Sequence, residues 1–410
     1  MNIRSIKDQN RIIDICVKER LDLIVPQVLK EADADMWLVA SKEYHEDLVH
    51  NAITPASYLT ARRITMLAFV RTENEVLRFS LSLPDEDLNK MYPQYWNFGK
   101  EEQMVALNRL LEEYDPKKIA VNISEDFTYA DGLSYGLYQT LLKEVKAPYV
   151  DRFMVDPMIP IKIMEIRTPT ELSLYDEVMG VAFSVIEDTF SLKTITPGVT
   201  TTEDLEYHMM ESVRALGLEY WFSPTIDLQR ENGESDRMGG IIQKGDLLHC
   251  DFGIKYLNMC TDTQRLAYVA KDEDTDVPQW MKDGFKVNDR FQDIVCECLV
   301  DGKTGNEVLL ESLAKAKDEG IVACLYSHPC NIYGHGPGPT IGLWNNQNAI
   351  PLRGDIKVSY DTVYALELNT KFDYNGRTYT FFSEETIAYT KEKDGVTFLY
   401  PGRDKIYFVK

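Results

Sequence analysis

Long apolar runs are missing from this 410-residue chain. None approaches the ~20 residues that a helix needs to cross a bilayer, so a helical membrane protein is excluded. Positive charge is also scarce: 44 Lys and Arg stand against 66 Asp and Glu, for a net charge of -22. A phosphate backbone would be repelled, which argues against a nucleic-acid partner, and most of the acidity serves solubility. The seven cysteines are odd in number and scattered, and Cys296-x-Cys298 falls in a helical stretch without zinc-knuckle or redox spacing. They read as reduced thiols, and a cytoplasmic location is the expectation. The opening residues lack the apolar core and small-residue cleavage site of a signal peptide. The length predicts two domains.

What the chain does have is a symmetry of carboxylates. Glu367 and Glu384 each lie eight residues from Asn375-Gly376. Asn-Gly is the favoured core of a two-residue type I′ turn, and the Thr-, Tyr-, Val- and Phe-rich runs on either side read as strands. A hairpin there sets the two glutamates directly opposite, about 5 Å apart, which is unfavourable unless a cation or a shared proton neutralises them. Asp251 and Asp262 are likewise symmetric about Tyr256-Leu257. A turn at that pair would oppose two more carboxylates, and two such coincidences point to a metal.

The first 150 residues alternate helical and extended patterns: a helix over 9–31, strands near 36–40, 65–71, 76–81 and 118–122, and a helix over 135–145. This reads as an open α/β domain. His45 and His50 within it read as ordinary surface or loop histidines. Val155-Asp156-Pro157-Met158-Ile159-Pro160 reads as a linker, giving domains 1–157 and 158–410. Beyond it, helices open at Thr168-Pro169-Thr170-Glu171 and at the capping box Thr201-x-x-Asp204, before the aspartate pair. A helix over 283–299 and one opened by Thr304-x-x-Glu307 then precede the glutamate pair. Two helices and a carboxylate hairpin thus occur twice, which predicts an α+β domain with an internal pseudo-twofold and one curved sheet gathering four carboxylates.

Between the hairpins lies Gly334-His335-Gly336, where glycine backbone can approach a ligand closely. His335 is the expected nitrogen donor. The order Asp251, Asp262, Gly-His-Gly-x-Gly, Glu367 and Glu384 resembles the pita-bread (creatinase/aminopeptidase-like) metallopeptidases: methionine aminopeptidase, aminopeptidase P and prolidase. The segment Glu165-Ile166-Arg167-Thr168-Pro169-Thr170-Glu171-Leu172 resembles the opening of that catalytic domain. The first 150 residues resemble the N-terminal domain of the aminopeptidase P and prolidase branch. The resemblance implies metal ligands Asp251, Asp262, His335, Glu367 and Glu384, with Asp262 and Glu384 approaching both of two ions. It implies Glu367 as the proton shuttle, a peptide or dipeptide substrate of the Xaa-Pro type, and a homodimer. Oxygen-dominated coordination suits Mn, Co, Fe or Zn.

The metal set is complete, but the substrate side departs from the resemblance. Seven residues after His335, where the family commonly has histidine, stands Gly342. Four before it stands Asn331. Another expected histidine is absent from Glu231-Asn232-Gly233-Glu234-Ser235-Asp236, and Phe382 replaces an arginine of aminopeptidase P. His328, Tyr333 and His249 are the groups that could stand in, His249 sharing a strand face with Asp251. The alternative to a peptidase is a diverged protein that binds a peptide or partner with little catalysis, or hydrolyses a different small amide or ester.

Overall fold

A computed structural model describes residues 3–231 and 237–410. The chain divides into two compact units, Arg4–Thr170 and one built from Glu171–Lys410.

In the first unit, Ile6–Glu19 and Val25–Glu31 form helices joined by a π-turn, Arg20–Ile24. The mixed sheet centres on Met36–Lys42, which pairs antiparallel with Ile64–Arg71 and parallel with Ile119–Val121. Helices Gln103–Tyr114 and Tyr135–Glu144 cover it through Leu107, Leu110, Leu137 and Leu141, which close one core with Leu38 and Val121. The α/β expectation stands. His50, however, is buried, its ring 3.1 Å from the Tyr58 carbonyl, and is no surface histidine. The expected linker also differs: Met158–Glu165 is a helix, which Pro157 and Pro160 open without loss because first-turn N–H groups have no intrahelical acceptor.

In the second unit, both capping boxes form. Thr201 and Thr304 each cap through Asp204 and Glu307, and the helices end before Gly217 and Gly320 in left-handed backbone. A ten-stranded sheet holds the glutamate hairpin and the base of the aspartate hairpin, whose tip, Ile254–Tyr256 and Met259–Cys260, pairs with Glu219–Tyr220 in a separate three-stranded sheet. Thr362–Tyr374 and Arg377–Thr390 pair along their whole length with Glu367 opposite Glu384, and Asn375 and Gly376 both have positive φ. Leu366 and Leu368 alternate with Glu367 and face the other way. There they pack under Phe291, Ile294 and Val308 of helices Gln279–Cys298 and Gly305–Asp318.

The aspartate hairpin turns one residue later than expected. Leu257 and Asn258 take the two positive-φ positions, and Asp251 lies opposite Gln264 instead of Asp262. That displaces the register by two residues, so parity is kept and both aspartates stay on one face. Asp262 falls against Gly253, where a Cβ would lie 2.2 Å from Trp221 Nε1 and 2.4 Å from the Thr261 carbonyl oxygen.

Candidate metal centre

The two hairpins join where Gln264 pairs with Glu384. Gln264 also pairs with Asp251, so Glu367, Glu384, Gln264 and Asp251 form one row across adjacent strands, all on the face away from the helices. Asp262, two residues before Gln264, shares that face. Thr386 Oγ1 fixes its backbone through a 3.0 Å bond to the Asp262 carbonyl.

One strand further, His328 stands opposite Ala365, two residues from Glu367 and therefore on the same face. Its Nδ1 is 2.9 Å from the Pro329 carbonyl, which can only accept, so Nδ1 donates and the lone pair sits on Nε2. That Nε2 lies 3.5 Å from Asp262 Oδ2 and has no hydrogen-bond partner.

Potential ligand atoms fall into three mutually close groups, each within 4.8 Å: Asp251, Asp262 and Glu384; His328, Glu367 and Glu384; Asp262, His328 and His335. All four expected carboxylates therefore converge. His335 joins only through Asp262 and His328, at an exposed position, and shares no such group with Glu367 or Glu384 among the described residues. Its ring meets Trp221 edge-on at 5.1 Å and His328 at 4.4 Å. The glycine before it serves packing: at Gly334, with φ +87°, a Cβ would lie 2.2 Å from the Trp221 ring.

The electrostatics are those of an acid cluster away from water. Burial, reinforced by Asp251 and the other acids, raises Asp262, Glu367 and Glu384 well above the usual carboxylate range. Burial pushes Asp251 up to about 6 against the pull of His249 and Arg237. Burial and the neighbouring His335 push His328 down to about 3, leaving a neutral imidazole. Asp251 Oδ1 and Glu384 Oε2 are buried without a hydrogen-bond partner, like His328 Nε2. Buried, like-charged acceptors and a free imidazole lone pair fit a divalent cation that prefers oxygen with some nitrogen.

Among the described residues the other stand-ins belong to none of these groups. His249 reaches Asp227 and Gln264, and its ring lies 4.5 Å from that of Phe382. Lys255 Nζ sits 5.6 Å over the Tyr333 ring. Over Phe382, where the resemblance to aminopeptidase P implies an arginine, the Arg237 guanidinium stands at 4.9 Å. Apart from Glu231, the stretch where the resemblance implies another histidine, 232–236, lies outside the described residues.

Comparison with solved structures finds the fold along nearly the whole chain. An X-Pro aminopeptidase from Thermotoga maritima MSB8 is similar with a TM-score of 0.64 and 15% identity, covering 93% of this chain and 100% of that one. An Xaa-Pro dipeptidase from Bacillus anthracis is similar with a TM-score of 0.62 and 16% identity, covering 96% and 99%. A prolidase from Pyrococcus furiosus gives 0.55 and 14%, covering 91% and 98%. No curated protein sequence matches. The family model for metallopeptidase family M24 matches residues 174–391. That stretch is more than half of the chain and contains every residue of the acid cluster, so this protein belongs to metallopeptidase family M24.

Proposed function

We propose that the protein is a two-ion peptidase of the Xaa-Pro type, acting on peptides or dipeptides. The observation that carries the reading is the in-register row of Glu367, Glu384 and Asp251, with Asp262 and His328 beside it and three unpartnered buried ligand atoms. Asp251, Asp262 and Glu384 would hold one divalent ion; His328, Glu367 and Glu384 would hold the other, with Asp262 also close to His328. Bound ions supply Lewis acidity, lowering the pKa of a water and polarising the scissile carbonyl. Manganese, cobalt, iron or zinc suits this donor set.

The chain's own residues do the rest. Glu367 takes the proton of the attacking water and passes it to the leaving amine. His328 takes the place expected for His335, because it alone of the two shares a group with Glu367 and Glu384. Counted from His328, the histidine expected seven residues on is present, and it is His335. Exposed beside Trp221, His335 is placed to meet the substrate. Four residues before His328 stands Cys324, so the departure from proline-specific members persists there.

The test is hydrolysis of Xaa-Pro dipeptides and longer Xaa-Pro peptides by Mn²⁺- or Co²⁺-loaded protein. Turnover that vanishes in Glu367→Gln supports the reading. A loaded protein inert on every peptide overturns it.

A further inference from the structure

Beside the acid cluster runs a chain of hydrogen bonds that begins at the exposed Arg237 and is buried at His249 and Gln264. Asp227 lies directly opposite His249, and His249 lies two residues from Asp251 on the same face. Arg237 donates Nε to Asp227 Oδ2 at 2.8 Å. That same carboxylate oxygen lies 3.1 Å from His249 Nδ1. His249 Nε2 lies 3.0 Å from Gln264 Oε1, and Gln264 donates its Nε2 to Glu367 Oε1. The directions are fixed from the far end. A carboxylate only accepts, so Gln264 presents its amide N–H to Glu367, leaving its carbonyl oxygen to accept from His249. His249 thus faces an acceptor at each ring nitrogen, Gln264 at Nε2 and Asp227 at Nδ1, and donates to both only as an imidazolium.

We propose that Arg237, Asp227, His249 and Gln264 are positioning residues that set the orientation of the Glu367 carboxylate. They pin one oxygen so that the group is held ready for a cation and for proton transfer. The inference rests on the reading of Glu367 as ligand and proton carrier. Gln264 is the pivot: it occupies the row between Glu384 and Asp251, where a side chain must neither repel the two acids nor compete with them for a cation. A neutral amide with one donor and one acceptor meets both conditions. His249, wedged between Asp227 and the Phe382 ring, keeps that amide from turning over.

The test compares Mn²⁺ affinity by calorimetry, together with kcat and KM separately, in His249→Leu, Gln264→Met, the double variant and His249→Gln. Residues that orient a metal ligand are worth about 10–100-fold in metal affinity. Each single variant is therefore expected to weaken Mn²⁺ binding at least tenfold and to lower kcat more than it raises KM. The double variant should be no worse than the worse single, because both break one chain. His249→Gln, which retains a donor toward Gln264, should recover most of the affinity. A merely structural role would give additive losses of thermal stability with Mn²⁺ affinity and kcat unchanged, and that result overturns the inference. If His249→Leu does not fold, Gln264→Met and His249→Gln carry the same comparison. Wild-type protein that binds no Mn²⁺ would overturn the reading of Glu367 itself, whereas tight wild-type binding shared by every variant would overturn only the relay.

Discussion

Replacing Asp251 with Asn should stabilise the metal-free protein, and only above acid pH. Burial raises the Asp251 carboxyl from 3.8 to about 6 in the fold. A raised carboxyl binds its proton more tightly folded than unfolded, so its contribution is fully present below 3.8 and is lost as pH rises through 6. At about 1.4 kcal/mol per tenfold change in proton affinity, ionising Asp251 costs the fold about 3 kcal/mol. For a unit of this size, about 2–4 °C of melting temperature accompany each kcal/mol, so the effect is about 6–12 °C. The assay is thermal melting of chelator-treated wild type and Asp251→Asn at pH 4 and pH 7. The two should coincide at pH 4, and the variant should melt higher by that margin at pH 7. Glu165 and Asp47, also raised by burial, are common to both proteins and cancel in the difference. Saturating Mn²⁺ should reverse the order at pH 7, because the cation rewards the charge that the variant lacks. Curves that coincide at both pH values, or a wild type that is the more stable without metal at pH 7, would refute the electrostatic reasoning.

His328→Ala should reduce Mn²⁺ affinity by more than the ~100-fold that an orienting partner costs, and His335→Ala by about tenfold or less with a rise in KM; calorimetry and steady-state kinetics separate the two, and the opposite order would return the ligand role to His335. Gly253→Ala forces a methyl against Trp221 Nε1 and the Thr261 carbonyl oxygen, so it should cost at least ~1–3 kcal/mol, as overpacking does, and displace Asp262; chemical denaturation and Mn²⁺ titration should both record the loss.

The parts legible in the sequence are those specified locally. Asn375-Gly376 fixes its own turn, and from that turn Glu367 opposite Glu384 follows with no other information. The capping boxes at Thr201 and Thr304 are equally self-contained. The aspartate turn lies one residue beyond the expected pair because Leu257, at φ +54°, has no preference for that backbone; only Asn258 favours it. The site is unaffected, since a shift of two residues leaves every side chain on its own face.

What local pattern could not supply is pairing between distant strands. His328 belongs to the cluster because its strand docks beside Ala365, a register written nowhere in residues 328–331. The Gly-His-Gly pattern marks His335, which lies with Asp262 and His328, and Gly334 is required by the Trp221 ring. Asp227 and Gln264 carry no local signal for the same reason: each acquires its partner only when Thr225–Gln229 and Thr263–Val269 flank the Asp251 strand.

Four acids on one face of a sheet, completed by an imidazole, are proposed to form a cage for a pair of divalent ions. Calorimetric titration of chelator-treated protein with Mn²⁺, with bound metal counted by mass spectrometry, tests it most directly. Two ions per chain in the wild type, falling to one or none in Glu384→Gln, is the predicted result. A wild type that takes up no Mn²⁺, Co²⁺, Fe²⁺ or Zn²⁺, or a Glu384→Gln protein that still takes up two, would contradict it.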